Sequence, residues 1–158
     1  MAAGGLMYST TFDTISVTNA AQDLWEFVAA AGVSVLIHRI EINFVPTITS
    51  GVAQDVRAQL RIVERSTTGT GGTAVTPQGV NPRNSIAAVT TTTRLVTTPG
   101  TIGDIKWAGQ PSIIVPYDNI LPPDLRIPIQ GGGRLCVNLV AGLGAAYNCS
   151  STVWFEEI

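Results

Sequence analysis

The sequence predicts an all-β protein, an antiparallel two-sheet sandwich of jelly-roll type, on three observations. Apolar and polar residues alternate at a period of two, the repeat of a half-buried strand, in "RAQLRIVER" and "RLCVNLVA". Turn formers punctuate the chain at short spacing: Thr18-Asn19, Ala31-Gly32, Ser50-Gly51, Pro99-Gly100, Pro122-Pro123 and the triple glycine Gly131 to Gly133. Only one stretch could be taken for a helix. About nine or ten short strands separated by turns point to two packed sheets, with a jelly roll as the first choice.

The elements follow in order. "MYSTTFDTISVT" reads as the first strand, with residues 1–11 as a possible N-terminal arm. "TNAAQDLWEFVAAAG" is the helix-tempting stretch, with Thr18 or Asn19 as a cap. Leu24, Trp25, Phe27 and Val28 make a poor helical stripe, so a turn followed by a strand from Asp23 to Ala29 is the better reading. In "VSVLIHRIEINF", Val33, Val35 and Ile37 share one parity while Ile40, Ile42 and Phe44 take the other. Such a phase switch near His38-Arg39 predicts a β-bulge or a strand changing sheets. "RAQLRIVER" sends Ala58, Leu60 and Ile62 to one face and Arg57, Gln59, Arg61 and Val63 to the other. Strands are then expected at "TRLVTT", "DIKWAG", "SIIVPY" and "LRIPI". "NILPP", flanked by Asp118 and Asp124, reads as a turn with solvated acids. "RLCVNLVA" turns Leu135, Val137 and Leu139 inward and Arg134, Cys136 and Asn138 outward. "STVWFEEI" is the last strand.

Residues 66–93, "STTGTGGTAVTPQGVNPRNSIAAVTTTT", interrupt this rhythm with Thr, Gly, Ser, Pro and a single charge, Arg83. Structureless loops longer than ~12–15 residues are uncommon in compact domains unless they are functional or disordered. Apolar strands resume directly afterwards, so the stretch is a long loop inserted within one domain spanning 1–158, not a linker. Its two prolines favour extended backbone. It reads as an arm that orders against a neighbouring surface, its Thr and Val adding to a partner's sheet edge.

Charged residues are only 13% of the chain and the net charge is -2. That balance gives no reason to expect nucleic acid or an anionic membrane as partner. The start lacks the basic and apolar regions of a signal peptide, and no run reaches the ~18–20 apolar residues that span a bilayer. Two cysteines, Cys136 and Cys149, cannot build a structural zinc site alone and read as buried or idle thiols. His38 is the single histidine, too few for a two-histidine metal site, and no nucleophile elbow is present. It reads as a strand histidine beside a bulge. Glu156 and Glu157 point to opposite faces of one strand, a poor carboxylate pair for acid–base work. The glycine-rich runs lack a following helix to hold a phosphate. No catalytic residue, cofactor or metal is therefore expected. Trp25 and Trp154 read as core; Trp107 and Tyr147, near loops, are the better candidates for a sugar or protein contact.

A chain of this pattern resembles the small virion proteins of tailed bacteriophages, and among them the decoration, or cement, proteins on the outside of the capsid. "VSVLIHRIEINF", the run "STTGTGGTAVTP" directly after a strand and the closing "STVWFEEI" carry the resemblance. It covers most of the chain as a general pattern and contains no functional motif. It implies a non-enzymatic virion protein, assembled in the host cytoplasm, that forms homo-oligomers, trimers favoured. These would bind the major capsid protein at joints between subunits. The alternative is a carbohydrate- or receptor-binding sandwich of a phage particle. The residues expected to touch a partner are Thr70, Thr73, Val75, Pro77, Val80, Pro82, Arg83, Trp107 and Tyr147.

Overall fold

The computed structural model describes residues 5–17, 20–45, 56–81, 86–141, 143 and 147–158. The chain shuttles between two sheets. β1 (Leu6–Val17) and β3 (Val35–Val45) lie in the first sheet, β2 (Gln22–Val28) and β4 (Leu60–Arg65) in the second. Then come β5 (Thr73–Val75), β6 (Gln78–Gly79), β7 (Thr91–Val96) and β8 (Ile102–Gly109). β9 (Tyr117–Ile120), β10 (Ile127–Ile129), β11 (Arg134–Leu139) and β12 (Tyr147–Glu157) complete the chain. The first sheet runs β10-β3-β12-β1-β6, with β9 also on β3; the second runs β5-β7-β2-β11-β4-β8. β9 and β10 pair with successive stretches of β3, so they are two halves of one interrupted strand. With β5, β6 and β7 set aside, the sheets read β1-β12-β3-β9/β10 and β2-β11-β4-β8. That alternation between facing sheets is the jelly-roll connectivity.

The buried side chains of the described residues form one cluster between the sheets. Its centre is aromatic. Phe27 meets Phe155 edge-on at 4.9 Å between ring centroids, and Trp25 stacks on Phe12 at 5.5 Å. The Trp25 indole is fully buried, yet its N–H donates to Ser151 Oγ at 2.9 Å, which in turn donates to the Glu41 carbonyl at 2.7 Å. No donor is stranded there, as a buried indole requires.

The bulge expected from the phase switch in β3 is present. Trp154 faces Arg39 and Phe155 faces Ile37, leaving His38 as the extra residue. Val35 and Ile37 on one side of it, Ile40 and Ile42 on the other, therefore all reach the core. The Asp23–Ala29 stretch is a strand, β2, and not a helix.

Other expectations need correction. Residues 6–11 are not an arm: they open β1, which pairs with β12 from Leu6↔Glu157 onward. "SIIVPY" is not a strand. Pro111 and Pro116 bracket its first four residues, where Ser112 makes a single bridge to Arg57 and only Ile113 is buried. The strand comes just after, where Tyr117 and Asn119 point into the sandwich opposite Ile42 and Ile40. Asp118 is thus a strand residue, not a loop acid. The only helical turn among the described residues is a 3-10 turn at Pro123–Leu125. The turns expected at Thr18-Asn19 and Ser50-Gly51 lie outside the described residues.

Candidate interaction surfaces

Thr and Val favour extended backbone, and Gly permits sharp bends between extended pieces. The described residues of 66–101 accordingly fold as a β-ribbon, which corrects the expectation of a loop over 66–93. Ser66 N–H donates to the Thr101 carbonyl at 3.0 Å, and Thr70 and Thr98 exchange two backbone bonds of 2.9 and 3.0 Å. Further out, β5 pairs with β7 through Thr73↔Arg94, Ala74↔Thr93 and Val75↔Thr92. Gly71 makes the bend between these segments at φ +78°, and a Cβ there would lie 2.0 Å from Thr97 Oγ1.

The ribbon then straddles one narrow side of the sandwich. β7 extends the second sheet beyond β2. The tip crosses to the first sheet, where β6 pairs with β1 through Tyr8↔Gly79 and Ser9↔Gln78. The Tyr8 hydroxyl donates to the Ile86 carbonyl at 3.1 Å, and Glu157 accepts from Val89 N–H at 3.1 Å and Thr90 N–H at 2.8 Å. The insertion therefore covers the edge of β2 along its length and the edge of β1 at Tyr8 and Ser9. Thr70, Thr73 and Val80 are exposed on it, Val75 and Pro77 are half-buried, and Pro82 and Arg83 lie outside the described residues. The strand-forming residues expected to extend a partner's sheet extend this chain's own sheets.

Where the ribbon starts, it covers the outer face of the second sheet. Cys136 and Asn138 do point outward, as their parity requires, but they are buried. Asp23 Oδ1 accepts from Arg65 Nη2 at 2.5 Å and from Asn138 Nδ2 at 2.8 Å. Arg65 also donates through Nε to Cys136 Sγ at 3.2 Å and through Nη1 to the Gly100 carbonyl at 3.0 Å. Glu26 accepts from Gly69 N–H at 3.0 Å. Burial pushes the Glu26 carboxyl above its ordinary range, against the pull of that Gly69 bond. Burial likewise raises the Cys136 thiol and pushes the Cys149 thiol up to about 12, so both free thiols stay protonated at neutral pH. Arg65 and Glu26 thus dock the ribbon through its backbone.

The aromatic candidates divide. Trp107 and Tyr147 are both half-buried and pack against the core; Trp107 meets Tyr117 at 4.9 Å between ring centroids. Trp154, expected in the core, lies on the outer face of the first sheet. In "VWF" the alternation sends Val153 and Phe155 inward and so Trp154 outward. The Arg39 guanidinium covers its ring at 4.5 Å. Asp118 clasps Arg39 from Nε and Nη2 at 2.8 Å each, and that hydrogen bond holds the Asp118 carboxyl below its usual range. His38 is engaged within its sheet, Nε2 lying 3.1 Å from Glu156 Oε2. Among the described residues, no three His, Cys, Asp or Glu side chains come together as metal ligands.

The opposite narrow side, built from residues 102–125, is unlike the ribbon side. β8 has β4 as its neighbour and, among the described residues, no strand beyond it. Its pairing slips twice, between Trp107 and Ile105 and between Ile105 and Ile102. Ile105 and Ile102 face Val63 and Arg65, so both stand on the outer face of the second sheet. Ile120 faces Arg39 and stands on the outer face of the first sheet. With Ile114, Val115 and Leu125 these are large apolar side chains left in water, from Ile105 at 49% exposed to Ile120 at 68%.

Comparison of the chain with protein-family models, with curated proteins and with solved structures finds no match.

Proposed function

We propose that this protein is a non-enzymatic structural protein of a virion of the tailed-phage kind, which binds the outer capsid surface as an oligomer and stabilises the shell. The jelly roll alone is shared by capsid proteins, lectins and cupins. What favours the first of these is the ribbon over one side of it. It presents Thr70, Thr73, Val80, Ile86 and Val89 to solvent. Such a surface can be buried against a protein shell with little desolvation of ions. It is already ordered by the sandwich, so less conformational entropy is lost when it docks. The sugar-binding alternative is weakened because Trp107 and Tyr147 spend much of their surface on the core.

The test uses shells of the particle whose genome carries this gene, emptied of DNA and stripped of small outer proteins. Purified protein should co-sediment with them saturably and raise the temperature at which they rupture. Val89→Lys, on the ribbon, should weaken binding about tenfold or more, as expected when a charge is forced into an interface. Failure of the wild-type protein to co-sediment overturns the proposal.

A further inference from the structure

We infer that Glu26 and Asp23 form a proton-sharing carboxyl pair that latches the base of the ribbon to the second sheet, closed when Glu26 carries the proton and loosened when it does not. Leu24 is the extra residue where β2 slips against β11, so Leu24 and Trp25 both turn into the core. The outward positions on either side of them are Asp23, opposite Asn138, and Glu26, opposite Cys136. A bulge thus brings two carboxyl groups to neighbouring positions on one face. Both are buried there, Asp23 to 0% exposure and Glu26 to 2%.

The groups around the pair leave one acceptor unused. Arg65, from β4, gives Asp23 Oδ1 a bond of 2.5 Å and spends its other donors on Cys136 Sγ and the Gly100 carbonyl. Arg134, from β11, donates to Thr68 Oγ1 and the Ser66 carbonyl of the ribbon. Cys136, also from β11, is a thiol that burial keeps protonated. β7 sets the uncharged Thr93 opposite Glu26, and its Arg94 reaches away to the Asp13 carbonyl. Among the described residues, Glu26 accepts hydrogen bonds from the Gly69 N–H alone. Asp23 Oδ2 is buried and accepts none. A buried carboxylate oxygen without a donor is costly, and a proton on Glu26 supplies the donor.

Gly69 N–H lies 3.0 Å from one Glu26 oxygen and 3.3 Å from the other, so either can keep that bond while the other bears the proton. The proton stays bonded to Glu26 and its hydrogen bond satisfies Asp23 Oδ2. The pair then holds one negative charge beside Arg65 in place of two. With the proton gone, two like charges stand in a desolvated patch, and opening the ribbon base to water relieves them. Burial first, and the Asp23 charge after it, raise the Glu26 carboxyl, with the Gly69 bond opposing them. A carboxyl raised in the closed form binds its proton more tightly there than in the open form. Closure is therefore favoured in full below the ordinary Glu value of ~4.3 and is lost as pH rises through the raised value. One proton sets the limit, so opening increases at most about tenfold per pH unit between the two values.

NMR on the full chain tests this. The Glu26 carboxyl carbon should titrate above ~4.3. Protection of the Gly69 and Thr70 amides, corrected for intrinsic exchange, should fall severalfold more than that of β12 amides as pH rises through that titration. Glu26→Gln keeps a donor for Asp23 Oδ2 without the charge, so its Gly69 and Thr70 protection should not fall over the same range. A Glu26 carboxyl that titrates at or below ~4.3 overturns the inference. So does Gly69 protection that falls no further than that of β12, or a Glu26→Gln variant with the wild-type pH dependence. If Glu26→Gln does not keep the β spectrum, the wild-type titration and protection series decide alone.

Discussion

Arg65 carries more of the fold than its place in an outward-facing row of "RAQLRIVER" would indicate. Its guanidinium and the Asp23 carboxylate are both buried on the outer face of the second sheet. Removing one member of a buried pair leaves the other charged and unpaired, which costs about 3–5 kcal/mol. Arg65→Ala should therefore lower the melting temperature by roughly 10 °C, at about 2–4 °C per kcal/mol for a chain of this size. The double variant Asp23→Leu/Arg65→Met should recover most of that loss, because apolar replacement of a buried pair is often neutral. Urea unfolding of the wild type and the two variants measures both effects, and a loss below ~1 kcal/mol for Arg65→Ala contradicts the assignment. Part of this was legible in the sequence. Val63 and Cys136 are apolar residues at outward parity, and they lie directly opposite each other, the sign of a covered outer face. The Asp23–Arg65 pair was not legible, because nothing in the sequence joins two charges 42 residues apart.

Elements were readable where a local pattern carried them. The odd step from Ile37 to Ile40 revealed the bulge at His38. The same kind of step, from Phe12 to Ile15, marks a second irregularity in β1, where Thr14 takes φ +51°. β9 was hidden because the apolar run before it, "SIIV", drew attention to the wrong residues. The ribbon was expected as a long loop, because its fold depends on which strand edges are open, and that is decided only in the assembled sandwich. Its base is tight. A Cβ on Gly100 would lie 1.9 Å from the Thr67 carbonyl oxygen, a backbone atom that cannot step aside alone. Gly100→Ala should cost about 1–3 kcal/mol, the usual range for overpacking. It should also speed proteolytic cutting within 66–101, since the clash opens the ribbon from its base. Gly103→Ala, whose Cβ would lie 3.2 Å from the Glu64 carbonyl oxygen, is the milder comparison. Equal cutting rates for the two variants would count against a tight base.

At the scale of the whole molecule the ribbon tip is the part that can be removed to test the proposed grip on the shell. Thr67 and Thr91 lie toward opposite ends of the ribbon, so a short turn cannot join them. Val75 and Thr92 are direct partners across it, and a two-residue Asn-Gly turn suits such a junction. Replacing residues 76–91 with that turn keeps β5, β7 and the docking of the ribbon base. It removes β6, frees the edge of β1 and strips Glu157 of its bonds to Val89 and Thr90. Tyr8, fully buried beneath the tip, becomes accessible from one side. The shortened protein should lose stability on the order of 1.5–3 kcal/mol, the contribution of one large buried side chain. It should keep its β spectrum, because the strands that pair across the two sheets of the sandwich are untouched. It should lose binding to emptied shells, because the exposed Val80, Ile86 and Val89 go with the tip. Unfolding, circular dichroism and co-sedimentation read the three outcomes independently. If the shortened protein binds shells with unchanged affinity, the ribbon is a seal for its own sandwich and not the grip on the shell.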